Sequence, residues 1–270
     1  MSLNFAAISP HPPIIIPGVG NNEDLQQAAL TVQAMKRMAF AFQKAEIDTL
    51  IIISPHMLIY PDKFNICGMK KLFGSFANTG APDIMVEGNN NLDLAYEIDK
   101  HGNLEDIKTL LYNNDGEFFE LDHGTMVPLF YLNALKESSF KIIPIAYSNL
   151  SRAAHFSFGQ MIYEIIKNYP GRVGVIASGD LSHRLNHGNY EETKAGENFD
   201  KKIVSDLQEG NAKDLLYYDE EFVELAGECG YRSILILLGI LSELNSTPEI
   251  LSYEGPFGVG YLVANYKFNN

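Results

Sequence analysis

Short β-rich apolar runs alternate along the chain with longer stretches of helical period, the pattern of an α/β fold with helices packed on a sheet. Residues 3–8, 49–54, 140–146, 172–178 and 259–266 read as strands. Between the first two, Leu25, Ala28, Ala29, Val32, Met35, Ala39 and Phe42 follow i, i+3, i+4, i+7 spacing and predict one long amphipathic helix. Further helices are expected at about 127–137, 152–168, 191–209 and 231–244, with apolar stripes facing the core. The segment 74–124 is polar and rich in Asn and Gly, and predicts an extra hairpin or lid. No linker, low-complexity tract or solenoid-length repeat interrupts the chain, so residues 1–270 are expected to form one domain.

Composition narrows the class. The 270 residues are 46% hydrophobic and 20% charged, the balance of a soluble globular protein rather than a disordered or fibrous one. Twenty Lys and Arg stand against 34 Asp and Glu, a formal charge of −14. Such a surface repels phosphate backbones and anionic lipids, which argues against nucleic-acid and membrane-surface partners. The apolar stretch 234–241 is far short of the roughly 20 residues that cross a bilayer. The N-terminus lacks the basic start and unbroken apolar run of a secretory signal, so a cytoplasmic location is expected. Two cysteines, Cys67 and Cys229, cannot build a disulfide framework or a Cys-rich zinc site, and any metal must rest mainly on the seven histidines and on carboxylates.

Two apolar strands run into the same tripeptide, FAAISPH ending at His11 and TLIIISPH ending at His56. In each, proline ends the strand ladder and stiffens the approach to the histidine. Both imidazoles therefore belong to C-terminal strand ends, the edge where open α/β sheets bind ligands. A third strand empties into Asp180-Leu-Ser-His183, where Asp180 can orient an imidazole that carries protons near neutral pH, or can simply cap a helix. His123 follows Asp122 ahead of an apolar helical run, either as a site residue or beside a helix cap. His101, His155 and His187 carry no assigned role. Two neutral imidazoles call for an anionic third ligand. Glu228, in GECGYRSILILLG, would complete a two-His, one-carboxylate face suited to Fe(II). Its neighbour Cys229 is the alternative, and a thiolate there would favour zinc or copper. Arg232 is expected to face a carboxylate, internal or of a substrate. Dinucleotide, Walker, G-x-S-x-G and H-E-x-x-H motifs are absent.

Taken in order, SPHPPIIIPGVG, IIISPH, LDHGTMVPLFYL, ASGDLSHRL, GECGYRSILILLG and YEGPFGVGYLVA resemble the class III extradiol ring-cleavage dioxygenase superfamily of the catalytic B-subunit type. The resemblance is nearest to the dioxygenase-like domain of AmmeMemoRadiSam system protein A and extends more distantly to Memo proteins. It implies one three-layer α/β domain, a mixed central sheet with helices on both faces, and a mononuclear metal at one sheet edge. By motif position it implies His11 and His56 as metal ligands, His183 as the acid/base and His123 as a histidine lining the substrate and O2 pocket. Ring-cleaving members supply a Glu where Memo-like proteins have Cys-Gly, and Glu228-Cys229-Gly230 contains both. We assign Glu228.

The expected function is an Fe(II) extradiol dioxygenase acting on a catechol- or aminophenol-like aromatic with O2. His183 would move the proton, Asp180 would set its tautomer and His123 would hydrogen-bond oxygen or substrate. The rivals are a Zn(II)-type hydrolase or lyase, and a non-catalytic Memo-like partner in a radical-SAM-associated system. A homodimer is the oligomeric expectation, with Leu129, Phe130, Tyr131 and Leu132 facing either a partner or the core.

Overall fold

The structure is a computed structural model and describes residues 2–105, 107–133, 140–186 and 189–269. In chain order the elements are β1 (Leu3–Ser9), α1 (Asn22–Gln27), α2 (Ala29–Ala45), β2 (Thr49–Ser54), β3 (Phe64–Cys67), β4 (Lys71–Phe76), β5 (Ala81–Asn90), α3 (Leu92–Leu104), β6 (Thr109–Tyr112), β7 (Phe119–Glu120), α4 (His123–Asn133), β8 (Lys141–Ala146), α5 (Arg152–Ile166), β9 (Val173–Ser178), α6 (Tyr190–Gln208), α7 (Glu220–Ala226), α8 (Tyr231–Leu241), β10 (Ser246–Glu254) and β11 (Tyr261–Phe268).

Among the described residues the strands form one mixed sheet, ordered β10-β11-β1-β9-β2-β8-β5-β4-β7, with β3 pairing to both β8 and β6 off this path. Its centre, β1-β9-β2-β8, is parallel, and β11 closes antiparallel on β1. The central strands β2 and β9 are buried at every position. That is why they read as continuous apolar runs rather than alternating ones.

Helices cover both faces. α2 and α4 pack Met35, Met38, Phe42, Leu129 and Leu132 against one side. On the other, α5, α6 and α8 bury Phe158, Phe199, Tyr231 and the Ile234–Ile240 run. Each fully buried Leu or Ile contributes about 1.5–3 kcal/mol, so α8, buried at every position except Arg232, anchors this layer. The fold is the expected α/β single domain with helices on both faces.

Several local expectations shift. The single helix expected over 25–42 divides at Ala28 into α1, started by a capping box at Asn21, and α2. The helix expected at 127–137 begins four residues earlier, because Asp122 accepts hydrogen bonds from the Thr125 backbone N–H and hydroxyl; residues 134–137 lie outside the described residues. Leu129, Tyr131 and Leu132 of that helix are buried in the chain's own core. The segment 74–124 does contain a hairpin, β4–β5, and also α3, β6 and β7, where no helix was expected.

Candidate metal and acid–base site

The parallel centre places the chemistry-bearing residues on one edge. Registers Ser9↔Ser178 and Ile53↔Ala177 bring the ends of β1, β9 and β2 to one level, each strand finishing on a serine. Because β9 lies between β1 and β2, the two Ser-Pro-His turns leave from either side of Ser178. Their rings lean together over it, with His11 Nε2 3.0 Å from His56 Nε2.

The hydrogen-bond network assigns the His11 tautomer. Pro128 stands inside α4 and has no N–H to give the carbonyl four residues back, so the Gly124 carbonyl accepts from the Ser178 hydroxyl at 2.5 Å. With its proton committed, Ser178 Oγ accepts from His11 Nδ1–H at 3.0 Å. The Nε2 lone pair is thereby left facing His56 and Cys229, whose Sγ lies 3.5 Å away.

Cys229, rather than Glu228, faces the histidine pair. The donor atoms of His11, His56 and Cys229 all lie within 4.8 Å of one another, and so do those of Asp180, His183 and Cys229. The Glu228 carboxylate instead accepts from the Tyr231 backbone N–H at 2.6 Å and caps the start of α8. The loop is held at this depth by glycine on glycine: a Cβ at Gly179 would stand 2.1 Å from the Gly230 Cα. This contact lets the Asp180 N–H reach the Cys229 sulfur at 3.3 Å and the Cys229 and Gly230 N–H groups reach the Asp180 carbonyl. The assignment of Glu228 thus meets a carboxylate already committed to a helix cap, with its neighbour occupying the space beside the imidazoles.

Asp180 also departs from its expected partner. Its carboxylate accepts from the His11 backbone N–H at 3.0 Å rather than from His183, and so braces the first histidine turn. Neither the His183 ring nor the His123 ring has a hydrogen-bond partner among the described residues. The His123 ring stacks on His56 at 4.1 Å and meets His11 edge-on at 5.3 Å. Ser54 accepts from the His56 N–H and donates to Asp122 at 2.5 Å, tying the second histidine turn to the start of α4.

Burial controls the protonation states. It drives His11 well below its ordinary pKa, helped by His56, His123 and His183, and takes His56 down to about 4, with His123 adding to the effect. His123 and His183 are lowered by burial as well. All four imidazoles are therefore neutral at pH 7, with lone pairs available. Burial raises the Cys229 thiol well above its ordinary value, aided by Asp180. A bound divalent cation supplies the opposite charge that releases such a thiol proton.

The donor set fits a divalent transition metal. The Nε2 atoms of His11 and His56, 3.0 Å apart, lie close enough for one ion to touch both. Two neutral imidazoles and one acidic group suit iron, zinc or copper more than calcium or magnesium.

Beside His56 and His123 opens a cavity of about 730 Å3, walled by the β4–β5 hairpin, β7 and the start of α4. The segment expected as a lid thus builds the pocket wall. Of the remaining histidines, His155 is a core residue bonded to the Ser151 carbonyl, and His101 sits beside Glu97 on α3. His187 lies outside the described residues. The Arg232 guanidinium is 6.0 Å from the Tyr147 ring, and its Nε lacks a partner. Ser178 and Pro128 were not singled out from sequence, and Ser54 only as part of its Ser-Pro-His tripeptide. The signals for them were a serine ending each inner strand and a proline within a helical run.

This architecture and edge constellation define the class. The chain belongs to the family of the catalytic LigB subunit of aromatic ring-opening dioxygenase, whose profile matches residues 5–264. It is 36% identical over its full length to Protein CA_C1420 of Clostridium acetobutylicum, of which it spans 59%. It is 25% identical to a 3,4-dihydroxyphenylacetate 2,3-dioxygenase of Escherichia coli, over 82% of this chain and 83% of that protein. A MEMO1 family protein of Methanocaldococcus jannaschii is 29% identical over 46% of the chain and 40% of its own length. The crystal structure of an uncharacterized Escherichia coli K12 protein shares the fold, with a TM-score of 0.67 and 17% identity over 97% of this chain and 98% of that one. Among the described residues no helix is long and apolar enough to cross a membrane.

Proposed function

We propose that this chain is a mononuclear non-haem Fe(II) enzyme that opens the ring of a catechol- or aminophenol-like aromatic with O2. The observation that carries the reading is the convergence of His11, His56 and Cys229 beside an aromatic-walled cavity, with His183 against the same sulfur. These three side chains would hold the metal, a ligand set in which Cys229 takes the place first given to Glu228. When bound, iron supplies Lewis acidity and electron exchange between the diol and O2.

The protein's part is positioning and proton movement. Ser178 keeps His11 in the tautomer whose Nε2 is free to bind. Asp180 holds the backbone of that turn. His183, neutral at pH 7, takes the proton from a substrate hydroxyl on an unprotonated ring nitrogen and returns it to the opened product. His123, stacked on His56, forms the wall against which the substrate ring lies. The relationship to a dioxygenase acting on a catechol supports this reading. A cytoplasmic location accords with it, since a reducing compartment keeps both the thiol and ferrous iron intact. The test is oxygen uptake by anaerobically iron-loaded protein across a panel of catechols and aminophenols. Uptake with ring-opened product supports the proposal, and none across the panel sinks it.

Cys229 favours a second reading. A thiolate ligand shifts preference toward zinc, and the similarity to a MEMO1 family protein supports a Memo-like role as the alternative. In that case the protein is a zinc-type hydrolase or lyase in which His183 activates water, or a non-catalytic metal-binding partner in a radical-SAM-associated system. Zinc at one per chain after purification without added metal favours this reading. Unimpaired function of His183→Ala in cells singles out the non-catalytic form.

A further inference from the structure

The cavity beside His56 and His123 has walls of one electrostatic sign. Phe76, Tyr112, Phe119 and Met126 supply aromatic and apolar surface, while Glu120 and Asp122 supply two carboxylates. Among the described residues the lining contains neither Lys nor Arg. At about 730 Å3 the space takes a substituted ring rather than a bare one. Asp122 is fixed in place by the hydroxyls of Ser54 and Thr125, so it cannot swing away from an incoming anion. Arg232 and Tyr147 are not part of this lining.

We propose that this pocket selects aromatic diols whose substituent is cationic, an amine in particular, and rejects those bearing a carboxylate. This rests on the diol-binding metal reading above and adds a substrate class to it. An ammonium group meets two carboxylates in a wall that Phe76, Tyr112 and Phe119 also line. A carboxylate in the same position loses its hydration and finds no counter-charge, so the pocket discriminates by repulsion as well as attraction.

The experiment is calorimetric titration of the zinc-loaded protein at pH 7, where no ring opening intervenes. The probes are catechol, 4-(2-aminoethyl)catechol and (3,4-dihydroxyphenyl)acetate. The amine should bind at least about tenfold more tightly than the carboxylate, with the ratio shrinking as salt is raised. Glu120→Lys should reduce that ratio about tenfold or invert it, and Glu120→Gln should give an intermediate value. Equal affinities for all three probes, or a ratio unmoved by Glu120→Lys, overturns the charge selectivity while leaving the diol-binding site standing. Failure of every probe to bind overturns the diol-binding reading itself and the selectivity with it.

Discussion

The Ser178 hydroxyl stands 3.0 Å from His11 Nδ1 and fixes which nitrogen of that ring faces the site. The arrangement depends on a helix defect: Pro128 withholds an N–H from the Gly124 carbonyl, and Ser178 fills the gap. Ser178→Ala should lower metal affinity about 10- to 100-fold, the usual effect of removing a hydrogen-bond partner of a ligating histidine. Competition against a chromophoric chelator measures it. Affinity within twofold of the parent would show that Ser178 does not position the ligand. Pro128→Ala should weaken binding less, since it offers the Gly124 carbonyl a competing donor without removing the serine.

Cys229 and Glu228 are adjacent but have different work. Cys229→Ala should abolish stoichiometric metal retention. Glu228→Gln should retain the metal, and it keeps an oxygen to accept from the Tyr231 N–H. Glu228→Ala removes the cap of α8 and should cost about 0.5–2 kcal/mol in thermal or denaturant unfolding. Metal per chain by elemental analysis decides between them: loss of metal in Glu228→Gln with retention in Cys229→Ala would restore the carboxylate as the ligand.

The His183 ring has no hydrogen-bond partner among the described residues and stays partly open to solvent, so its nitrogens are free to carry a proton. His183→Ala should leave metal content and diol affinity near the parent values. Ring opening, followed by oxygen uptake, should fall about 10²- to 10⁴-fold. Undiminished turnover would remove His183 from the proton path.

Asp200, which is not among the proposed metal ligands, gives a pH signature in stability. Its carboxyl accepts from the Ser182 N–H and the Tyr253 hydroxyl, and burial raises it to about 7 from 3.8. The folded chain therefore holds a proton on Asp200 that the unfolded chain gives up above about pH 4. The stability this contributes is present at low pH and is lost as pH rises through 7. Asp200→Asn, which mimics the neutral acid, should gain on the parent between pH 5 and pH 8. At about 1.4 kcal/mol per pH unit, the gain should approach about 2–3 kcal/mol. Denaturant unfolding of both proteins at the two pH values checks it, and a pH-independent difference would show that Asp200 is not protonated in the fold.

Periodicity and strand-end chemistry already contained the α/β class, the five principal strands and the pairing of His11 with His56. Continuous apolar runs mark buried parallel strands, and two identical Ser-Pro-His turns after such strands must emerge on the same sheet edge. The choice between Glu228 and Cys229 was beyond the sequence, because adjacent residues differ only in where the backbone turns them. The Gly179–Gly230 contact sets that turn, between segments 51 residues apart in the chain. The same holds for Ser178 acting through a carbonyl freed by Pro128, and for Asp180, whose partner is a backbone N–H from β1's end rather than the neighbouring imidazole. The sequence determined which chemistries were present and the edge they share. Only the tertiary structure decided which donor atoms meet, because hydrogen-bond commitments elsewhere remove some groups from the site and leave others free to face it.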